Sequence, residues 1–188
     1  FYDMEDPNEF IRDVSLALED DGVFVAQLMC LKNMIDNNDV GNICHEHLEY
    51  YSFASLEFLF EKNGLEIFDV ETNSVNGGSY RIFAKKKCSN GRITLMGKDW
   101  IDKVKIDEQY LSIKQTHIDF YNRLVVNRDK CVEFIKKEKS SGKRIWIYGA
   151  STKGNVILQF YGLNNLFIDG AAERSSWKWG KFTVGSMI

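Results

Sequence analysis

The 188 residues allow one large domain or two small ones, and an apolar share of 44% is ample for a packed core. A net charge of −3 argues against general nucleic-acid binding. No apolar run reaches the roughly 18 residues of a membrane-spanning helix, and no signal peptide is recognisable. Four scattered cysteines without a C-x-x-C pair predict reduced thiols and a cytoplasmic location. Because the chain starts at Phe1, we expect it to be part of a longer protein.

Two helix–strand units are predicted in the first half of the chain. The first helix begins at Asp6-Pro7, where Asp6 is a suitable N-cap and proline fits the first helical position, and it ends at Asp20-Asp21-Gly22. A buried strand follows over residues 23–28. Short helix-to-strand connections of this kind are typical of a parallel sheet.

The second unit follows a polar segment near residue 45. Ser52 is a suitable cap for a helix that Gly64 closes, and a strand follows over residues 65–70. Asn76-Gly77-Gly78 then predicts a turn into a strand over residues 80–84, as in an antiparallel hairpin. The paired glycines would also allow a ligand to approach the backbone closely.

The second half of the chain is predicted to be helical and then α/β. Residues 101–139 lack proline and glycine and form one long or two consecutive helices, with His117 packed on the apolar stripe. A buried strand over 145–148, a glycine turn over 149–154, a helix and a strand over 166–168 predict the start of a Rossmann-like sheet. The loop near Cys88 to Trp100 therefore separates two domains, residues 1–88 and 89–188.

The segment Cys44-His45-Glu46-His47 is the strongest candidate for chemistry. In an extended chain His45 and His47 would share one side, whereas on a helix they would point nearly opposite ways. A free imidazole has a pKa near 6.5, so it accepts protons at neutral pH, and the adjacent carboxylate suits acid–base catalysis. Two alternatives remain open: a metal site built on the H-x-H pair, and imidazoles that only bond to backbone.

Two further patterns suggest ligand contacts. The turn over residues 149–154 could present backbone N–H groups to a phosphate at a helix N-terminus, or could be a tight turn with no ligand. Glu173 and Arg174 follow the next predicted strand, at the edge where open α/β sheets bind ligands, or form a surface ion pair.

Residues 1–7, 42–52, 76–79, 148–155 and 171–174 together resemble the S-adenosylmethionine-dependent sugar C-methyltransferases. The resemblance implies that residues 1–88 are the C-terminal half of a class I methyltransferase domain with a Rossmann-like sheet. Residues 89–188 would be a helical linker and a second, Rossmann-like C-terminal domain. The family's zinc-ligand cysteines and cofactor-binding glycine loop are not found in these residues. We therefore expect this chain alone to bind S-adenosylmethionine weakly or not at all, and to be inactive.

The resemblance also implies a reaction and a set of site residues. A base removes the proton next to the ketone of a nucleotide-linked deoxysugar, and the resulting enolate accepts a methyl group from S-adenosylmethionine. His47 resembles the family's base, with Glu46 and His45 beside it, and Tyr2 and Asp3 would face the cofactor. Cys44 stands where family members often have tyrosine. The implied substrate contacts are Cys44, Ser79, Tyr148, Ser151, Lys153, Glu173 and Arg174, and no residue is assigned to a metal.

Two other functions compete with a methyltransferase. One is a sugar-nucleotide or dinucleotide binding module without catalysis, in which the turn over residues 149–154 binds the ligand. The other is a metal-dependent hydrolase that uses His45 and His47.

Overall fold

The computed structural model describes residues 3–89 and 95–188 and is a mixed α/β structure with two separate sheets. It divides into two compact units. The N-terminal unit comprises the described parts of Phe1–Asn37 and Glu46–His117, and the C-terminal unit comprises Asn38–His45 and Ile118–Ile188. The predicted domain boundary, near Cys88 to Trp100, includes residues 90–94, which lie outside the described residues. That boundary stays a prediction.

Two helices of the N-terminal unit begin where the predicted capping residues, Asp6 and Ser52, place them. The unit contains α1 (Pro7–Ala17), β1 (Phe24–Met29), α2 (Leu31–Asp36), α3 (Phe53–Lys62), β2 (Leu65–Asn73), β3 (Ser79–Lys86) and α4 (Leu95–Asp107). The Asp6 carboxylate accepts the Glu9 N–H at 3.0 Å, and the Ser52 hydroxyl accepts the Ser55 N–H at 3.3 Å. Each side chain satisfies a donor that the first helical turn leaves without an intrahelical acceptor.

The sheet of the N-terminal unit is antiparallel, with strand order β1-β3-β2. The predicted hairpin of β2 and β3 is confirmed, but the parallel sheet expected from the helix–strand units is wrong. β1 and β2 run in the same direction, yet β3 lies between them and pairs antiparallel with both. The carboxyl ends of β1 and β2 therefore lie at the same edge of the sheet.

One face of α3 forms the centre of the core. Phe53, Leu56 and Phe60 are fully buried in it, and the Phe53 ring packs edge-on against Tyr80 of β3, with ring centroids 6.2 Å apart. Burial of this apolar face is the main favourable term holding α3 to the sheet.

Gly78, between β2 and β3, occupies a conformation that favours glycine. Its φ is +134°, and a Cβ built there would lie only 2.0 Å from Nδ2 of the Asn33 side chain. Its carbonyl also accepts the Cys30 N–H at 3.1 Å, which ties the turn to the end of β1. In this structure, therefore, the group that approaches the Gly78 backbone closely is the Asn33 side chain of α2.

We expect Gly78→Ala to destabilise the protein by more than the roughly 1–3 kcal/mol that an unfavourable backbone conformation costs alone, because the Asn33 contact adds to it. Gly64→Ala is the control. Gly64 has φ +86°, but its added Cβ would meet only the Ser15 hydroxyl, at 3.1 Å. Urea unfolding of both variants measures the difference, and equal losses would contradict the steric argument.

The long helical stretch is divided in two. α4 is followed by a 3-10 turn over Gln109–Ser112 and by α5 (Lys114–Ser140). Phe120 and Leu124 are buried, but His117 is exposed and its ring bonds to the Leu111 carbonyl at 2.8 Å. The expectation of a packed core histidine is wrong.

The C-terminal unit contains one parallel strand pair joined through a helix. β4 (Trp146–Tyr148) leads through Gly149 into α6 (Thr152–Tyr161), and β5 (Gly170–Ala172) pairs parallel with β4. The strand predicted over 166–168 is wrong, since that segment is a turn, and Tyr148 is 92% exposed rather than buried. Leu158, Leu163 and Ile168 form the small core of this unit.

No helix in residues 3–89 or 95–188 is long and apolar enough to span a membrane. All four cysteines are free thiols.

Candidate functional site

The His-Glu-His segment is neither strand nor helix. His45 and Glu46 form a turn and are exposed, whereas His47 is half-buried. The His47 ring lies edge-on to Tyr50, with centroids 6.4 Å apart. His45 belongs to the C-terminal unit, and Glu46 and His47 belong to the N-terminal unit. Partial burial leaves the His47 imidazole reachable while restricting its motion.

The chain that follows His47 is firmly anchored in the N-terminal unit. Tyr51 is buried, and its carbonyl accepts the Leu31 N–H at 3.1 Å. Two residues later the Phe53 N–H, the first in α3, donates to the Glu108 carboxylate at 2.7 Å. The segment is thereby fixed to the ends of α2 and α4.

A cleft of about 740 Å³ opens in the N-terminal unit at the carboxyl end of β2. This volume is within the usual range for small-molecule sites. Its walls come from α2, β2 and α4, and its lining residues are Cys30, Lys32, Asn33, Val70, Glu71, Thr72, Asn73, Ser74, Trp100, Lys103, Val104, Asp107 and Glu108. Among the residues the structure describes, none of the predicted site residues lines this cleft.

Three buried polar groups meet beside the cleft. Glu108 is 6% exposed and accepts a hydrogen bond from the Tyr80 hydroxyl, while the Cys30 thiol lies 4.0 Å from the same carboxylate oxygen. Burial raises the pKa of Glu108 above its ordinary value, although the Tyr80 and Phe53 donors oppose the shift. Burial likewise raises the pKa of Tyr80 and of Cys30. These residues are not predictable from the sequence, because nothing in the polar stretch around Glu108 distinguishes a buried carboxyl from a solvated one.

The predicted ligand loop of the C-terminal unit is held by contacts within the protein. The Ser151 hydroxyl caps α6 by accepting the Gly154 N–H at 3.1 Å, and the Glu173 carboxylate accepts the Ala150 N–H at 2.7 Å. Glu173 also lies 3.7 Å from the Lys178 ammonium group. A phosphate bound to these N–H groups would have to displace contacts that already exist.

Lys153, in the first turn of α6, lies beside Asn38–His45, the earlier stretch of chain that belongs to the same unit. Its ammonium group is 3.6 Å from the Asp39 carboxylate, and Asp39 also accepts from the Asn42 amide at 2.6 Å. A Cβ added to Gly41 would lie 3.0 Å from the Lys153 Cβ. The residues 38–45 therefore pack closely against α6.

The remaining predicted contacts differ in how far they are exposed. Asp3 and Arg174 are exposed, Tyr148 is almost fully exposed, and Cys44 is half-buried. Ser79 is buried, and its hydroxyl donates to the Val75 carbonyl at 2.8 Å. Tyr2 lies outside the described residues. The roles assigned to these side chains stay predictions.

Glu173 gives the C-terminal unit a pH-dependent contact. The N–H groups of Ser175 and Ala150 hold the pKa of this carboxyl below its ordinary value. A depressed folded-state pKa means that the stabilisation is present above the unfolded pKa, about 4.3, and is lost as the pH falls through the folded value.

We therefore expect Glu173→Gln to lower stability at pH 7, with the difference from wild type shrinking below about pH 4.3. Urea unfolding between pH 3 and 7 measures it. Glu133→Gln, which neutralises an exposed carboxylate of the same unit, controls for net charge. A difference that is independent of pH would contradict the assignment.

Within the described residues, no three His, Cys, Asp or Glu side chains are grouped closely enough to hold a metal ion.

Comparison with known proteins identifies the family. A family model described as "C-methyltransferase C-terminal domain" matches residues 74–188. The whole chain is also 31% identical over 188 residues to C-methyltransferase NovU of Streptomyces niveus, and it spans 44% of that protein's length. The family model covers more than half of the chain and both strands of the C-terminal sheet. This chain belongs to the family of C-methyltransferase C-terminal domains.

Proposed function

We propose that this chain is part of an S-adenosylmethionine-dependent C-methyltransferase that acts on a nucleotide-linked keto-deoxysugar. The observation that carries the proposal is the identity over the whole chain to a protein named as a C-methyltransferase. That alignment includes the His-Glu-His segment, which lies outside the part matched by the family model. The fold proposed with it is the end of a class I methyltransferase sheet followed by a Rossmann-like domain.

The chain's own contribution is proton removal from carbon. His47 accepts the proton next to the ketone, the C–H electron pair becomes the enolate, and the enolate carbon is then nucleophilic enough to take a methyl group. Half-burial and the edge-on contact with Tyr50 restrict the orientations that the His47 imidazole can adopt. Glu46, adjacent and exposed, would stabilise the protonated ring.

Asp3 is the one predicted cofactor contact among the described residues, and it is exposed in a turn. S-adenosylmethionine is proposed as the methyl donor, and no step is derived through it from these residues. We expect titration calorimetry on the 188 residues to show no micromolar binding of S-adenosylmethionine. Micromolar binding would contradict this expectation without affecting the role of His47.

Solvent exchange of the substrate proton tests the proposed function directly. The natural protein that carries this chain is incubated in D2O, without cofactor, with a thymidine-diphosphate-linked 4-keto-6-deoxy sugar. We expect the NMR signal of a proton next to the ketone to disappear faster than it does without enzyme. Exchange at the enzyme-free rate, together with no methyl transfer when cofactor is added, would overturn the proposal for this class of sugar.

A further inference from the structure

We propose that Glu108 is a positioning residue, which holds the segment that carries His47 by bonding to the first amide of α3. This inference rests on the proposed function, because it assigns Glu108 a role in placing the base of that reaction. Glu108 is distant from His47 in sequence, and its bond is to the Phe53 amide.

The Phe53 N–H that donates to Glu108 is in the first turn of α3, where backbone N–H groups have no acceptor within the helix. The first N–H groups of a helix have no intrahelical partner, and a negative group is favourable at the positive end of the helix dipole. The Ser52 hydroxyl takes the Ser55 N–H, and the Glu108 carboxyl takes the Phe53 N–H at 2.7 Å. The start of α3 is therefore held at two points, one of them supplied by the end of α4.

The carboxyl group is itself held in place. Glu108 is 6% exposed, Tyr80 is fully buried, and the Tyr80 hydroxyl donates to the oxygen that does not bond to Phe53. Each carboxyl oxygen thus has a protein donor. A side chain bonded at both oxygens in a buried setting has little freedom to change rotamer.

The segment that connects His47 to Phe53 is short. Residues 48–52 separate the two, and within them the Tyr51 carbonyl accepts from Leu31 and the Tyr51 side chain is buried. A shift of Phe53 must therefore move this anchored segment. Misplacement of a catalytic group by about 1 Å can cost on the order of 100-fold in rate.

Kinetics of Glu108 variants in the natural protein test the role. We expect Glu108→Ala to lower kcat by about 100-fold with little change in KM, since the substrate contacts remain. Glu108→Gln keeps the length and an acceptor for Phe53, so it should recover most of the rate, and more than Glu108→Asp, which keeps only the charge. Asp102→Asn is the matched control, because this exposed carboxylate lies on α4 and does not line the cleft. Equal rates in Glu108→Gln and Glu108→Asp would overturn the proposal, even if Glu108→Ala does not fold.

Hydrogen exchange of the 188-residue chain gives a readout that is independent of activity. The Phe53 amide should exchange about 10-fold or more slowly than that of Ala54, the next residue of α3, because of the bond to Glu108. Equal exchange would overturn the inference. If the His47→Ala variant still exchanges the substrate proton with D2O at the wild-type rate, the proposed function fails and not only the positioning role. If His47→Ala loses it while all Glu108 variants turn over normally, only the positioning role fails.

Discussion

Replacing His47 with alanine is expected to lower methyl transfer by about 100- to 10,000-fold, the usual contribution of a positioned general base. Cofactor affinity should change little, because the role proposed for His47 is at the substrate carbon. The measurement is turnover of the natural protein, together with exchange of the substrate proton in D2O, and both should fall together. This coupling would place the loss at proton removal instead of at the later methyl transfer.

The chain offers a control for the chemistry of the substitution. His117 is the third histidine of the sequence, lies exposed on α5 and bonds to the Leu111 carbonyl. His117→Ala removes the same group from a different place and should leave both rates near wild type. Unchanged turnover in His47→Ala would remove His47 from the mechanism. A large loss in His117→Ala would show that any histidine substitution perturbs the protein.

The second large effect is expected on stability. Phe53 is fully buried, packs against Tyr80 and begins α3. Truncating a buried phenylalanine to alanine removes apolar contacts and leaves a cavity, which costs about 3–5 kcal/mol in free energy of unfolding. Since small domains are stable by only about 5–15 kcal/mol, Phe53→Ala should leave much of the protein unfolded at mild urea concentrations.

Phe58→Ala provides the matched comparison for that prediction. It removes the same side chain from the same helix, but Phe58 is 68% exposed. Its effect should lie within about 0.5 kcal/mol of zero. Urea unfolding followed by circular dichroism measures both variants. Alanine favours the helix more than phenylalanine does, so helix propensity cannot account for a loss in either variant. Similar losses in the two would therefore contradict the claim that the burial of Phe53 stabilises α3.

Local rules in the sequence predicted the helix starts and the hairpin well. Asp6 and Ser52 cap the helices they were assigned to, and Gly64 adopts a positive φ at the end of α3. These features depend on residues within one turn of each other, so the sequence contains the information. The pairing of β1 with β3 joins residues that are far apart in sequence, and the order β1-β3-β2 was not predicted.

The strand after α6 shows why a short apolar run can mislead. Leu166 is not in a strand, because the Asn164 side chain accepts the Leu166 N–H at 3.0 Å and holds a turn. Gly170–Ala172 has weak strand propensity, yet it pairs with β4 beside Asp169, whose carboxylate accepts the Ile145 N–H at 2.7 Å. Tertiary contacts decided both outcomes against local preference.

The candidate site was predicted only in part, for a similar reason. The His-Glu-His segment is conspicuous in sequence because it contains two of the chain's three histidines. Glu108 is not, since its importance depends on Cys30, Phe53 and Tyr80, which are distant in sequence and meet only in the folded N-terminal unit.

The insertion of Asn38–His45 into the C-terminal unit has a practical consequence for dividing this protein. The polypeptide passes between the units at three points, after Asn37, His45 and His117. A gene truncated after His117 would encode Gly41 and Asp39 without the Lys153 side chain they pack against, and the complementary piece would begin without them. Neither half would be a self-sufficient domain, and expression trials should keep residues 38–45 and α6 on the same polypeptide.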